Sequence, residues 1–193
     1  TLWAMVSGWG APALMFTVLR RFIGVNWALA ITIAYLCTPA VTYGSGSGHV
    51  EARNAMFVII SVLALAEARA SDQLRFIILA GLAAGFFVAS KYTGLIFAFS
   101  VGATLLFQKR WFAHGIIFGL SVVFAGGQWY GWNAFTTGDP LFPMLYGIVD
   151  YLPDTPWNQN IHSVYKAMID ENVVPSNLLW LIIYPIKATL FPH

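Results

Sequence analysis

Charge is scarce in this chain: Lys, Arg, Asp and Glu make up 9% of its 193 residues, against 59% hydrophobic side chains. That is too little polar surface to cover a soluble globule of this length. A mean hydropathy of +0.70 points the same way, and the chain reads as an integral membrane protein. Ten basic and eight acidic side chains leave a net charge of +2. Gathered between apolar runs, these charges report topology and exclude a nucleic-acid partner. The single cysteine, Cys37, lies in an apolar run; it rules out an intrachain disulfide and reads as a small buried hydrophobe. There is no Walker-type GxxxxGK[ST], no CxxC and no HExxH, which excludes ATP hydrolysis and the familiar zinc sites. No Asn-x-Ser/Thr acceptor occurs either. The chain starts at Thr1 inside one apolar run and stops inside another, without a recognisable secretory signal, so it reads as a piece of a longer protein.

What is present is a succession of apolar runs. Thr1 to Leu19 carries no charge and is long enough to cross a bilayer core of about 30 Å, with Pro12 a kink. Arg20 and Arg21 stop it. Gly24 to Tyr43 is the second run, interrupted by Pro39, and Gly44 to Gly48 (GSGSG) is expected to unwind the chain before His49, Glu51 and Arg53. Asn54 to Ala66 forms a third, reaching Glu67 and Arg69, which snorkel to an interface, and Ser71 to Arg75 turns the chain back. Phe76 to Ser90 and Tyr92 to Gln108 are short runs separated by Lys91 alone. The first contains Ala80, Gly81, Ala84 and Gly85, a small-xxx-small pattern that allows close helix packing. Lys109 and Arg110 precede a charge-free run from Trp111 to Gly138, and a polar loop leads to a last apolar segment, Val173 to Phe191.

Cytoplasmic connections collect Lys and Arg. Here Arg20, Arg21, Arg69, Arg75, Lys109 and Arg110 fall in one alternate set of connections, six of the ten basic residues. The expected fold is therefore all-α: a polytopic transmembrane helical bundle of about six to seven segments, some short, forming a single domain over residues 1–193 with an outer loop at 133–172. The loop around Glu51, the Lys91 turn and the long loop share the outer face.

A charge near the bilayer centre costs roughly 2.5–3.5 kcal/mol on the insertion scale, and much less near an interface. Glu51, between His49 and Arg53, can thus be an interface anchor or a site residue. Lys91, a flexible cation at an outer turn, suits a phosphate. His114, beside Lys109 and Arg110 on the other face, reads as structural; Asp150, Asp154, His162, Asp170 and Glu171 read as solvated loop charge.

Where the charge-free run ends, QWYGWNAFTTGDPLFP (128–143) places Trp129, Tyr130 and Trp132 ahead of a Thr-Thr-Gly-Asp-Pro turn, the pattern of an interfacial aromatic belt. Taken with TPAVTYGSGSGHVEARNAMFVII and LAGLAAGFFVASKYTGLIF, it resembles the membrane half of the glycosyltransferase C superfamily, particularly bacterial relatives of protein O-mannosyltransferases and lipid A aminoarabinose transferases. The likeness covers most of residues 30 to 146. Thr38-Pro39 and Glu51 match a span ending in Thr-Pro followed by an acidic residue. Ser90-Lys91-Tyr92 matches a Gly-rich helix ending in Thr-Lys-Tyr/Gly. Trp129, Tyr130, Asn133, Thr137, Gly138, Pro140 and Pro143 match PWYxRNxxxTGNPxYP, while Gln128, Trp132 and Asp139 depart from it.

The resemblance implies a multi-pass enzyme of the bacterial inner membrane that moves a sugar from a polyprenyl-phosphate donor to an acceptor on the outer face, with inversion. Its principal acid is expected upstream of these spans. It implies a donor-binding set of Glu51, Lys91, His49, Asn133 and Asp139, with Glu51 near the donor phosphate or a divalent metal ion. Loss of the family's Arg at Trp132 removes one phosphate contact, and Asp139 offers a carboxylate that turn chemistry alone also explains. Two other classes fit the residues: a transporter or flippase for lipid-linked saccharides with a broken helix at Ser90-Lys91, and a membrane scaffold without chemistry.

Overall fold

The computed structural model describes residues 2–47, 49–170, 179, 180 and 183, and every regular element among them is helical. The chain divides into two compact units, the first ending at Trp132 and the second beginning at Asn133.

In the first unit α1 (Leu2–Leu19) keeps its helix through Pro12. After Arg20 and Arg21 come α2 (Val25–Leu36) and α3 (Pro39–Ser47), which meet at a bend of 66°. Pro39, which has no N–H to continue the helix before it, opens the second half of this broken span. From Gly44 to Ser47 the expected unwinding does not occur, since the helix runs on to Ser47; Gly48 lies outside the described residues. In an apolar setting a backbone group without a partner costs several kcal/mol, so even a glycine-rich stretch stays helical. Cys37, expected to be buried, is exposed at the end of α2.

The third span is longer than its apolar core: α4 (Val50–Ser71) takes in Glu51 and Arg53 at one end and Glu67 and Arg69 at the other. Only Asp72, in a left-handed conformation with φ 53°, and Gln73 separate it from α5 (Leu74–Ser90). These two helices carry the core, with Ala64, Leu65 and Ala68 against Ile77, Ala80 and Ala84. Ser61, fully buried, donates to the Ala80 carbonyl at 3.0 Å. α6 (Thr93–Ala103) continues into a 3-10 turn at Thr104–Phe107, and α7 (Trp111–Thr137) follows. By length and composition α4 and α7 can each cross a membrane, the bent α2–α3 pair can act as a third span, and Gly8–Leu19, Leu74–Ser90 and Thr93–Phe107 are shorter apolar helices. The fold is a helical membrane bundle.

The small residues of α5 do what their spacing suggests. A Cβ on Gly85 would lie 2.6 Å from the Val122 carbonyl oxygen and 2.8 Å from the Ala125 Cβ, so α5 and α7 touch backbone to side chain there. Gly85→Leu is expected to force these helices apart, costing about 1–3 kcal/mol or more, and to lower the thermal unfolding midpoint in detergent. Gly115→Leu is the control: no atom lies within 4 Å of a Cβ at that position, and the midpoint should stay where it is.

The second unit starts in the last turn of α7 and contains α8 (Gln159–Asp170) within the stretch expected to be loop. Its centre is an aromatic cluster in which Phe142 meets Tyr151 and Trp157, and Tyr146 lies 4.4 Å from the His162 ring. The peptide bond Phe142–Pro143 is cis. The expected last segment, Val173 to Phe191, lies outside the described residues apart from Leu179, Trp180 and Ile183.

Candidate functional site

Glu51 and Lys91, forty residues apart, meet at one end of the first unit. Glu51 sits in the first turn of α4, where a carboxylate favours the positive end of the helix dipole. Lys91 ends α5: its amide makes the last helical bond, to the Phe87 carbonyl at 3.1 Å, and its backbone then extends (φ −160°, ψ 138°). Its Nζ donates to Glu51 Oε1 at 3.1 Å. His49, the residue before α4, places Nδ1 3.7 Å from Glu51 Oε2, and its ring lies 5.6 Å from that of Tyr43, tilted by 41°. Both partners of the Lys91–Glu51 pair stay about half exposed, at 49% and 58%. An exposed pair of this kind adds about 0–1 kcal/mol to stability, so it is open to exchange with an incoming anion.

The break between α5 and α6 is held from three sides. Ser90 donates to Asn54 Oδ1 at 2.5 Å, and Asn54 is buried. Asn54 follows Glu51 by three residues and so shares its face of α4; together they tie both sides of the Ser90–Lys91 step. The Val88 carbonyl loses its helical partner where α5 stops, and the Tyr130 hydroxyl from α7 donates to it at 3.0 Å. At Gly94, a Cβ would stand 2.6 Å from the Phe87 carbonyl, so α6 starts directly against the last turn of α5. Asn54 carries no motif, and the sequence signal for it was only its spacing from Glu51. The Trp129 and Trp132 rings stay exposed as a belt requires, while Tyr130 turns inward.

Glu51 has a cation, not further carboxylates, as its neighbour. Its carboxylate already faces the Lys91 ammonium, and among the described residues no group of three His, Cys, Asp or Glu side chains converges to hold a metal.

Asn133 and Asp139 belong to the second unit. Asn133 is buried and its Nδ2 has no hydrogen-bond partner. Asp139 is fully buried and its carboxylate is taken up by its own loop: Oδ1 accepts from the Leu141 amide at 2.7 Å, and Oδ2 from the Leu145 amide at 3.1 Å and the Tyr151 hydroxyl at 2.9 Å. The carboxylate that could have stood in for the family's Asn thus closes a loop.

The family model for dolichyl-phosphate-mannose-protein mannosyltransferase matches residues 1–126, which takes in both helices of the Glu51–Lys91 pair. The chain belongs to that family. Membership makes it a membrane glycosyltransferase of the C type. The matched region ends before Trp129, so the aromatic stretch and the second unit lie beyond it. No curated protein and no solved structure matches the chain.

Proposed function

We propose that this protein transfers a sugar from a polyprenyl-phosphate donor to an acceptor on the outer face of the bacterial inner membrane, with inversion at the anomeric carbon. The observation that carries the reading is Lys91 itself: a cation held at an interrupted helix, 3.1 Å from Glu51, within the region the family model covers. In such a transfer the acceptor hydroxyl oxygen forms the new bond to the anomeric carbon and the bond to the donor phosphate breaks. The phosphate departs with the electron pair, and a base takes the hydroxyl proton. Lys91 suits the departing phosphate, since a fixed cation stabilises charge where it develops. Glu51 is a positioning residue that keeps the ammonium in place until the donor exchanges with it; Asn54 and Ser90 hold the two helix ends in register. His49 borders the pair and can contact the donor's phosphate edge. Asn133, with its unpartnered amide, is proposed as a donor-binding group on family pattern, whereas Asp139 is not.

Glu51→Gln in the full-length protein is expected to lower kcat by about tenfold, equivalent to about 1.4 kcal/mol, because the Lys91 ammonium loses the carboxylate that positions it, while the KM for the polyprenyl-phosphate donor does not rise, since the donor no longer displaces that carboxylate. Reconstituted vesicles supplied with donor and acceptor provide the measurement. A wild-type kcat removes Glu51 from the site.

A further inference from the structure

At the other end of α4, 20 residues beyond Glu51 and so about 30 Å away at 1.5 Å per residue, lies a second polar constellation that the transfer reaction does not use. A cavity of about 450 Å³ opens between the end of α4 and the start of α7, lined by Arg69, Asp72, Gln108, Lys109, Arg110 and His114. Three cations face one carboxylate in its wall. His114 is only 2% exposed. Its Nδ1 lies 2.7 Å from Gln108 Oε1, which fixes the ring and leaves Nε2 as the atom on the Asp72 side of the cavity. Nε2 makes no hydrogen bond and stands 3.9 Å from Asp72 Oδ1, within reach of an ion pair when the ring is protonated. A buried ring nitrogen without a hydrogen bond is costly unless something in the cavity meets it.

The surroundings say what that ligand is. Phe107 lines the cavity, and it and its chain neighbours Leu106, Trp111 and Phe112 are exposed at 83%, 61%, 50% and 65%. They sit on the 3-10 turn after α6 and on the first turn of α7, a helix long enough to cross a membrane. A ligand that fits both parts carries a phosphate on an apolar tail. We propose that this cavity binds the phosphate headgroup of an anionic membrane lipid, with Lys109 and Arg110 as the principal contacts, Arg69 completing the cationic wall and His114 meeting the headgroup from below. Such a site anchors the turns before α5 and α7 to the bilayer, at the end of the first unit away from Glu51 and Lys91, and stands independently of any sugar donor. Basic pockets between membrane helices recognise headgroups in this way.

The test is binding to the detergent-solubilised full-length protein, followed by Trp fluorescence and native mass spectrometry. Phosphatidylglycerol is compared with phosphatidylcholine and with inorganic phosphate alone. Wild type should retain phosphatidylglycerol in preference to phosphatidylcholine. Lys109→Ala/Arg110→Ala should weaken binding roughly thirtyfold, from about 1 kcal/mol per basic residue. His114→Gln, which changes no surface cation, should weaken it as well. Arg20→Ala/Arg75→Ala removes two cations outside the cavity and should leave it unchanged. Equal affinity for phosphatidylcholine, an equal loss in the Arg20/Arg75 variant, or complete displacement by inorganic phosphate would each overturn the assignment.

Discussion

Replacing Lys91 by Ala is expected to lower sugar transfer from a polyprenyl-phosphate donor by about a hundredfold, while membrane insertion and yield remain those of wild type. The size follows from what a single well-placed charge donor contributes where charge develops, about 10²–10³ in rate. The lower figure is the better guide here because Lys91 is half exposed and its field is partly screened. The fold should tolerate the change. The ion pair with Glu51 is exposed and adds little to stability, while the features that shape the break do not involve the ammonium. These are the Ser90–Asn54 bond, the Tyr130 bond to the Val88 carbonyl and the close start of α6 at Gly94. Lys91→Arg should retain much of the activity, since guanidinium also binds phosphate. Transfer assayed in vesicles at matched protein levels decides the matter; a wild-type rate for Lys91→Ala would take this residue, and with it the proposed donor site, out of the reaction.

The second large effect is structural and lies in the second unit. Asp139→Ala would leave the Leu141 and Leu145 amides and the Tyr151 hydroxyl facing an empty, fully buried position. An orphaned buried donor costs about 1–3 kcal/mol, so three of them should destabilise the loop by about 3 kcal/mol or more. Hydrogen exchange at the Leu141 and Leu145 amides is the direct readout, with protection expected to fall by roughly two orders of magnitude. Asp139→Asn keeps one acceptor oxygen and should fall in between. Unchanged exchange in the alanine variant would show that the loop is held by its aromatic cluster alone.

Much of this protein could be read directly from its residues. The ratio of apolar to charged side chains fixes a membrane bundle, because so few polar groups can meet water. The Ala80-Gly81/Ala84-Gly85 spacing announces a close helix contact, and Gly85 against Val122 bears it out. Ser90-Lys91-Tyr92 and the block around Glu51 point to the family, and the family model covers both. Asn54 could not be found this way: an Asn inside an apolar helix has no pattern, and its partner Ser90 is a contact between helices. Helix ends were equally hidden, since hydropathy stops at the first charge whereas backbone hydrogen bonding carries α4 past Glu51 and Arg53, and α3 through its glycines.

Composition and pattern alone therefore determined the solvent this chain folds in, its order of apolar segments and its family. Tertiary structure alone decided which charges meet. It put Lys91 on Glu51, turned Asp139 inward to close its own loop, and left His114 Nε2 without a hydrogen bond in a basic cavity. The physical reason is that hydropathy is a sum along the chain, whereas an ion pair or an orphaned nitrogen depends on two helices arriving within about 3 Å of each other, a distance that only packing sets.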